Sequence, residues 1–190
     1  MVRAETGLTI AAPPRVADKR LYALYEYWLR LARASRGLPA RESFDPMHLP
    51  RLLPYIWVIE VDGRSNRFRL RLAGEEINVI YGRNIGRKFF AEVFDQRDMA
   101  TIVTGYKRAL QEPAVFYAKG NVYADAGHSC AGERLGLPML GDDGGTRILL
   151  GATVYEFRKN NSITLRPAGD APHFHSIQAA NHRRIEIAGG

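Results

Sequence analysis

The sequence predicts an α+β domain built on an antiparallel sheet. Three observations predict it: an amphipathic helical pattern over 18–36, two extended runs joined by a turn between 55 and 73, and three further extended runs between 114 and 157 that follow a helical stretch. No strand–helix–strand alternation and no internal repeat is visible, which argues against a doubly wound parallel sheet.

Taken in order, Met1 to Ala17 is expected as a flexible leader, since it holds Ala11-Ala12-Pro13-Pro14 and no periodic pattern. Asp18 stands at an N-cap position. Leu21, Leu24, Tyr25, Trp28, Leu31 and Ala32 then recur at spacings of three and four, and Gly37 and Pro39 end the pattern. Such a stripe must be buried, on its own domain or on a partner. Prolines at 46, 50 and 54 make the next segment a connector of short turns.

Tyr55 to Val61 reads as a strand covered on both faces, and Asp62-Gly63 with Ser65-Asn66 supplies its turn. In the following strand Phe68, Leu70 and Leu72 alternate with Arg67, Arg69 and Arg71, giving one apolar and one arginine-bearing face. Short helical pieces lie between Glu75 and Phe94, and Asp95 caps a longer helix ended by Glu112-Pro113. Ala114–Ala124, Arg134–Leu140 and Ile148–Phe157 complete the strands. Gly120 marks a bend or bulge and Pro138 an edge position or bulge. Gly141-Asp-Asp-Gly-Gly145 is a hairpin loop, and 159–190 is expected as a polar C-terminal tail.

Composition fits this plan. The chain has 190 residues, 46% of them hydrophobic and 25% charged, enough for one core without disulfides. Its single cysteine, Cys130, excludes an internal disulfide framework and fits a reducing, cytoplasmic setting. No apolar run is long enough for membrane insertion. The net charge of +7 is dispersed: residues 1–41 carry eight basic and three acidic groups, and 64–88 carry seven and two. Dispersed charge serves solubility first, so nucleic-acid contact is possible but not favoured.

The element order and several local stretches together resemble a PAS domain, and in particular a bacterial PAS-like family often carried as a stand-alone module. The stretches are Leu49-Pro50-Arg-Leu-Leu-Pro54 leading into Ile56-Trp-Val-Ile-Glu-Val61, Phe68-Arg-Leu-Arg-Leu-Ala-Gly74, Tyr81-Gly-Arg-Asn-Ile-Gly-Arg87, and Glu133-Arg-Leu-Gly-Leu-Pro138 with Leu149-Leu-Gly151. The resemblance covers about residues 20 to 158. It implies a five-stranded antiparallel sheet with helices between strands two and three, spanning 18–158. It also implies a sensory or regulatory role in which a small molecule or a signalling protein is bound.

A pocket between such a sheet and its helices would be lined by Trp57, Ile59, Phe68, Leu70, Asn78, Tyr81, Phe90 and Tyr106. The simpler reading is that these side chains fill the core. None of His48, His128, His173, His175 and His182 falls within 75–112, so haem is not expected, and a photoactive flavin would need a cysteine there. No cofactor is identified. His173 and His175 with His182 could share a metal, but solvated tail histidines are preferred and no metal site is expected. His128 and Cys130 form no recognisable catalytic pair, and phosphate-cradling and nucleophile-elbow motifs are absent, so no catalytic residue is assigned.

Arg67, Arg69 and Arg71 repel one another unless carboxylates or an anion answer them. A salt-bridged outer face is the simpler reading, and a nucleotide or nucleic-acid surface the alternative. Leu21, Leu24, Tyr25 and Trp28 are the expected homodimer or partner surface.

Overall fold

A computed structural model describes residues 8–10, 14–62, 65, 67–123, 130–144, 147–157 and 172–178. Its organising feature is one antiparallel sheet with helices on both faces. The first helix, α1 (Lys19–Ser35), begins where expected: the Asp18 carboxylate accepts from the Arg20 amide at 2.8 Å and the Leu21 amide at 3.4 Å. It ends on Arg36, which takes the left-handed conformation (φ 54°) in place of Gly37. The proline-bearing connector forms three 3-10 turns, Arg41–Ser43, Pro46–His48 and Pro50–Tyr55.

Strands β1 (Thr9–Ile10), β2 (Ile56–Val61) and β3 (Phe68–Ala73) are followed by three helices, α2 (Glu75–Ile80), α3 (Phe90–Val93) and α4 (Gln96–Gln111). Then come β4 (Ala114–Asn121), β5 (Cys130–Leu140), β6 (Arg147–Phe157) and β7 (His173–Gln178). The sheet order is β1-β7-β4-β5-β6-β2-β3. Its five consecutive members β4-β5-β6-β2-β3 are the strands expected from the sequence, with the helices between the second and third of them in chain order.

Two strands are additional, so the count of five is corrected to seven. β7 lies within the stretch expected as a polar tail and pairs with β4, Ala114 opposite Ser176 and Tyr117 opposite His173. β1 lies within the expected leader and pairs with β7. Their anchors are Ile177, which is buried, and Phe174, which packs on Phe116 at 5.7 Å beneath the Arg108 guanidinium. Of the leader only 8–10 and 14–17, and of the tail only 172–178, are among the described residues; Gly63, Asn66 and Gly145 of the two turns lie outside them.

Pro138 sits in β5 opposite Leu149 of β6, at a locally unpaired edge as its sequence suggests and without a bulge. Its carbonyl accepts from Trp28 Nε1 at 3.0 Å, so its nitrogen faces the β4 side, where pairing has already stopped at Gly136. The missing N–H therefore breaks no ladder bond. Gly120 has a φ of 127°, yet its pairing with Gly132 continues the register without a bulge.

Each sheet face has its own core. Against one face lies α1, with Leu21, Leu24, Trp28 and Ala32 packed on Val115, Leu135, Leu137, Leu150 and Ala152. Glu133 ties the helix down, its carboxylate accepting from the Ala17 and Asp18 amides and the Tyr117 hydroxyl at 3.0–3.1 Å. Against the other face lie α2–α4, over Trp57, Ile59, Phe68, Leu70, Phe116 and Leu149. Arg147, buried at the foot of β6, donates to the Leu110 and Gln111 carbonyls and so satisfies the C-terminal end of α4.

Candidate functional site

Space remains on both faces of the sheet, in very different amounts. On the helical face Trp57 decides the outcome. It stands on β2 and its indole lies across β5 and β6, where Gly136 and Gly151 are paired directly opposite one another. A Cβ on Gly151 would meet Trp57 Cζ2 at 2.2 Å, and one on Gly136 would meet Cη2 at 3.1 Å. The two glycines are thus the floor that the ring occupies. Trp57 Nε1 donates to Thr153 Oγ1 at 3.0 Å, and Tyr106 of α4 covers the ring at a centroid distance of 5.5 Å. About 30 Å³ is left, enough for a water-sized group or two.

Of the residues expected to line this cavity, Trp57, Ile59, Leu70, Tyr81, Phe90 and Tyr106 do so. Phe68 packs one layer behind, on Phe90 at 5.5 Å. Asn78 does not line it: its side chain donates to the Ala73 carbonyl and accepts from the Ile85 amide at 3.0 Å, stapling the turn after α2. Its role is to hold backbone, not to orient a ligand. The polar wall is Thr153 with Arg134, whose Nε reaches the same hydroxyl at 3.0 Å. Sequence reading missed this pair and Tyr123, because strand alternation does not say which face of β5 and β6 meets the helices.

The arginine strand departs from simple alternation. Val58 pairs with Leu72 but Ile59 with Leu70, so Arg71 is an extra residue in β3. This bulge turns Leu72 out of the apolar set and onto the face of Arg69, where it is 45% exposed. Carboxylates then answer the arginines. Arg69 Nε donates to Glu60 at 2.9 Å, and Arg71 bonds both Glu60 at 3.2 Å and Asp142 at 3.1 Å. Arg67 instead stacks on the Phe89 ring at 4.2 Å. The three therefore do not form one ladder.

The same bulge opens a groove on the α1 face, beyond the end of that helix. Phe44 and Pro46 of the connector form one wall, and Ile56, Leu72, Ile148 and Leu150 are part of the floor. Arg41 and Arg71 stand at its rim, and the space is about 220 Å³. Both guanidiniums converge on Asp142 in the β5–β6 loop, with Arg41 Nε at 2.5 Å and Arg71 at 3.1 Å. The hydrogen bond from Arg41, then that from Arg71, holds Asp142 below the usual carboxylate range.

Two other expectations change. Leu21, Leu24, Tyr25 and Trp28, expected as a dimer or partner surface, are all buried against this chain's own sheet, at 0–5% exposure. The stripe is core because the α1 face of the sheet is as apolar as the helix and needs the same cover. His173 and His175 are strand residues opposite Tyr117 and Val115, not tail residues; His128 and His182 lie outside the described residues. Cys130 is fully buried at the start of β5, and burial pushes its thiol up, away from the reactive thiolate. Among the described residues no cluster of three or more histidine, cysteine or acidic groups could hold a metal, and no helix is long and apolar enough to cross a membrane.

Comparison with known proteins gives one result. No curated protein and no solved structure matches the chain. The PAS domain family does match, over residues 16–154, from the residues just before α1 to the middle of β6. That span holds the five central strands, both helical covers, Trp57 with its glycine floor and the groove-lining residues: this chain belongs to the PAS domain family.

Proposed function

We propose that this PAS domain is a sensory or regulatory module of the cytoplasm, and that its small-molecule site is the groove on the α1 face. The observation that carries the reading is the contrast between the two spaces. The cavity beneath the helices keeps about 30 Å³ because Trp57 fills it, whereas the groove offers about 220 Å³, below the roughly 300–1,000 Å³ of pockets for drug-sized ligands and suited to a smaller molecule. An apolar floor with a few polar groups at the mouth is the ordinary composition of such sites.

Nucleotide or nucleic-acid binding through Arg67, Arg69 and Arg71 has less behind it. Glu60 and Asp142 already answer Arg69 and Arg71, and the Arg67 guanidinium stacked on an aromatic ring is not a phosphate-tracking surface. Self-association through Leu21, Leu24, Tyr25 and Trp28 has less behind it, since these side chains are buried against the chain's own sheet.

The test is a thermal-shift screen of small organic molecules on wild type and on Leu72→Trp, which fills the groove from its exposed rim. Hits that stabilise wild type and fail on Leu72→Trp support the reading. Hits that stabilise both equally place the site elsewhere and overturn it.

A further inference from the structure

The groove's mouth carries more information than its size. Arg41 comes from the connector and Arg71 from the β3 bulge, two segments with no sequence reason to converge. They nevertheless meet at one point, and a carboxylate occupies it. That carboxylate belongs to Asp142, 47% exposed at the tip of the β5–β6 hairpin loop. Glu60 holds the other side of Arg71 together with Arg69. Counting this group, Arg41, Arg69 and Arg71 face Glu60 and Asp142, so three cations meet two anions. Immediately below lie the side chains of Ile56, Leu72, Ile148 and Leu150.

We infer that the groove takes an amphipathic carboxylate, a short acyl chain with an anionic head, and that its head replaces Asp142 between Arg41 and Arg71. This rests on the reading of the groove as the ligand site and adds the ligand's chemistry to it. Planar guanidinium groups select planar, two-oxygen anions, and the protein's own aspartate displays the geometry they accept. The tail would cover the floor, which the 45%-exposed Leu72 leaves partly in water. Asp142 thereby acts as a built-in competitor. A bound head group frees the loop at 141–144 from the connector and from β3, and the occupied and empty states differ at the protein surface.

Calorimetric titration of the full chain with octanoate and with octanol tests this. Octanoate binds Asp142→Asn at least ~10-fold more tightly than octanol, because hydrogen bonds to charged groups supply about that factor once the competitor is gone. On the Asp142→Asn background Arg41→Gln weakens octanoate about 10-fold and leaves octanol unchanged, and Arg71→Gln, which also touches Glu60, does the same. Asp142→Asn strengthens octanoate several-fold, since the competitor has lost its charge. An Asp142 that is merely a surface ion pair would leave that affinity unchanged.

Equal affinity for octanoate and octanol in Asp142→Asn, or octanoate binding by Asp142→Asn that is unchanged or weaker than wild type, overturns the carboxylate assignment. If Leu72→Trp still abolishes binding, the groove reading stands. Octanoate binding that survives Leu72→Trp overturns both, as does failure of both probes to bind.

Discussion

Trp57 is the side chain on which the occupancy of the helical face turns, and replacing it by alanine tests that directly. The indole is 4% exposed and rests on two backbone strands rather than on side chains. The glycine floor has nothing to move into the vacated space, so relaxation must come from Tyr106 above it. Removing a buried Trp or Phe side chain costs about 3–5 kcal/mol, and a site that collapses poorly falls at the upper end. The lost Thr153 hydrogen bond adds little, because the hydroxyl keeps Arg134. The expected loss of about 4–5 kcal/mol is a large share of a stability of about 5–15 kcal/mol. For a domain of this length it lowers Tm by roughly 8–20 °C. Circular dichroism during heating and urea titration measure it. Added indole should refill the space, recovering about 1.4 kcal/mol at ten times its dissociation constant. A loss below about 1 kcal/mol, or no indole effect on a folded variant, would refute the claim that Trp57 fills this face.

Further outcomes follow from neighbouring geometry. Gly151→Ala places a Cβ 2.2 Å from Trp57 and 2.5 Å from the Leu135 carbonyl, and only the ring can move away. It should destabilise by about 3 kcal/mol, and Gly151→Ala with Trp57→Ala should be less than additive; additivity in urea titrations would count against the stacking. Arg147→Met keeps the apolar stem but strips two carbonyls at the end of α4 of their donor, so a loss of about 2 kcal/mol is expected. Amide exchange should then rise at the last turn of α4 before it rises in the sheet. Burial, and then its bond to Glu133, pushes the Tyr117 phenol up to about 12, above the ordinary phenol value of about 10. The folded chain holds this proton where the unfolded chain has released it, so the contribution is complete below about pH 10 and lost towards pH 12. Tyr117→Phe should flatten that alkaline decline in melts; an unchanged decline would assign it elsewhere.

Local patterns carried much of the fold. The spacing of Leu21, Leu24 and Trp28 and the capping residue Asp18 suffice for α1, and the alternation of Phe68 and Leu70 suffices for the start of β3. What covers α1 is a different matter, because an apolar stripe says that burial occurs and not against what. The Arg71 bulge is invisible in sequence: Leu72 continues the period of two, and only its pairing with Val58 shows the slip. The groove and its arginine pair were hidden for that reason. β7 escaped notice because Phe174 and Ile177 are isolated in a polar stretch, and β7 pairs with β4, far away in sequence. In the helical cavity six of the eight expected side chains meet, since they point to one face of a recognisable plan. Asn78 was misread because polarity alone does not separate a ligand contact from a turn staple.

We place ligand binding on the α1 face of the sheet and not in the space beneath the helices. Two-dimensional spectra of methyl and indole groups during an octanoate titration test it most directly. Methyl signals of Ile56, Leu72, Ile148 and Leu150 should shift with saturation while the Trp57 indole N–H stays in place. Movement of the Trp57 and Tyr106 signals with those methyls unmoved would contradict it.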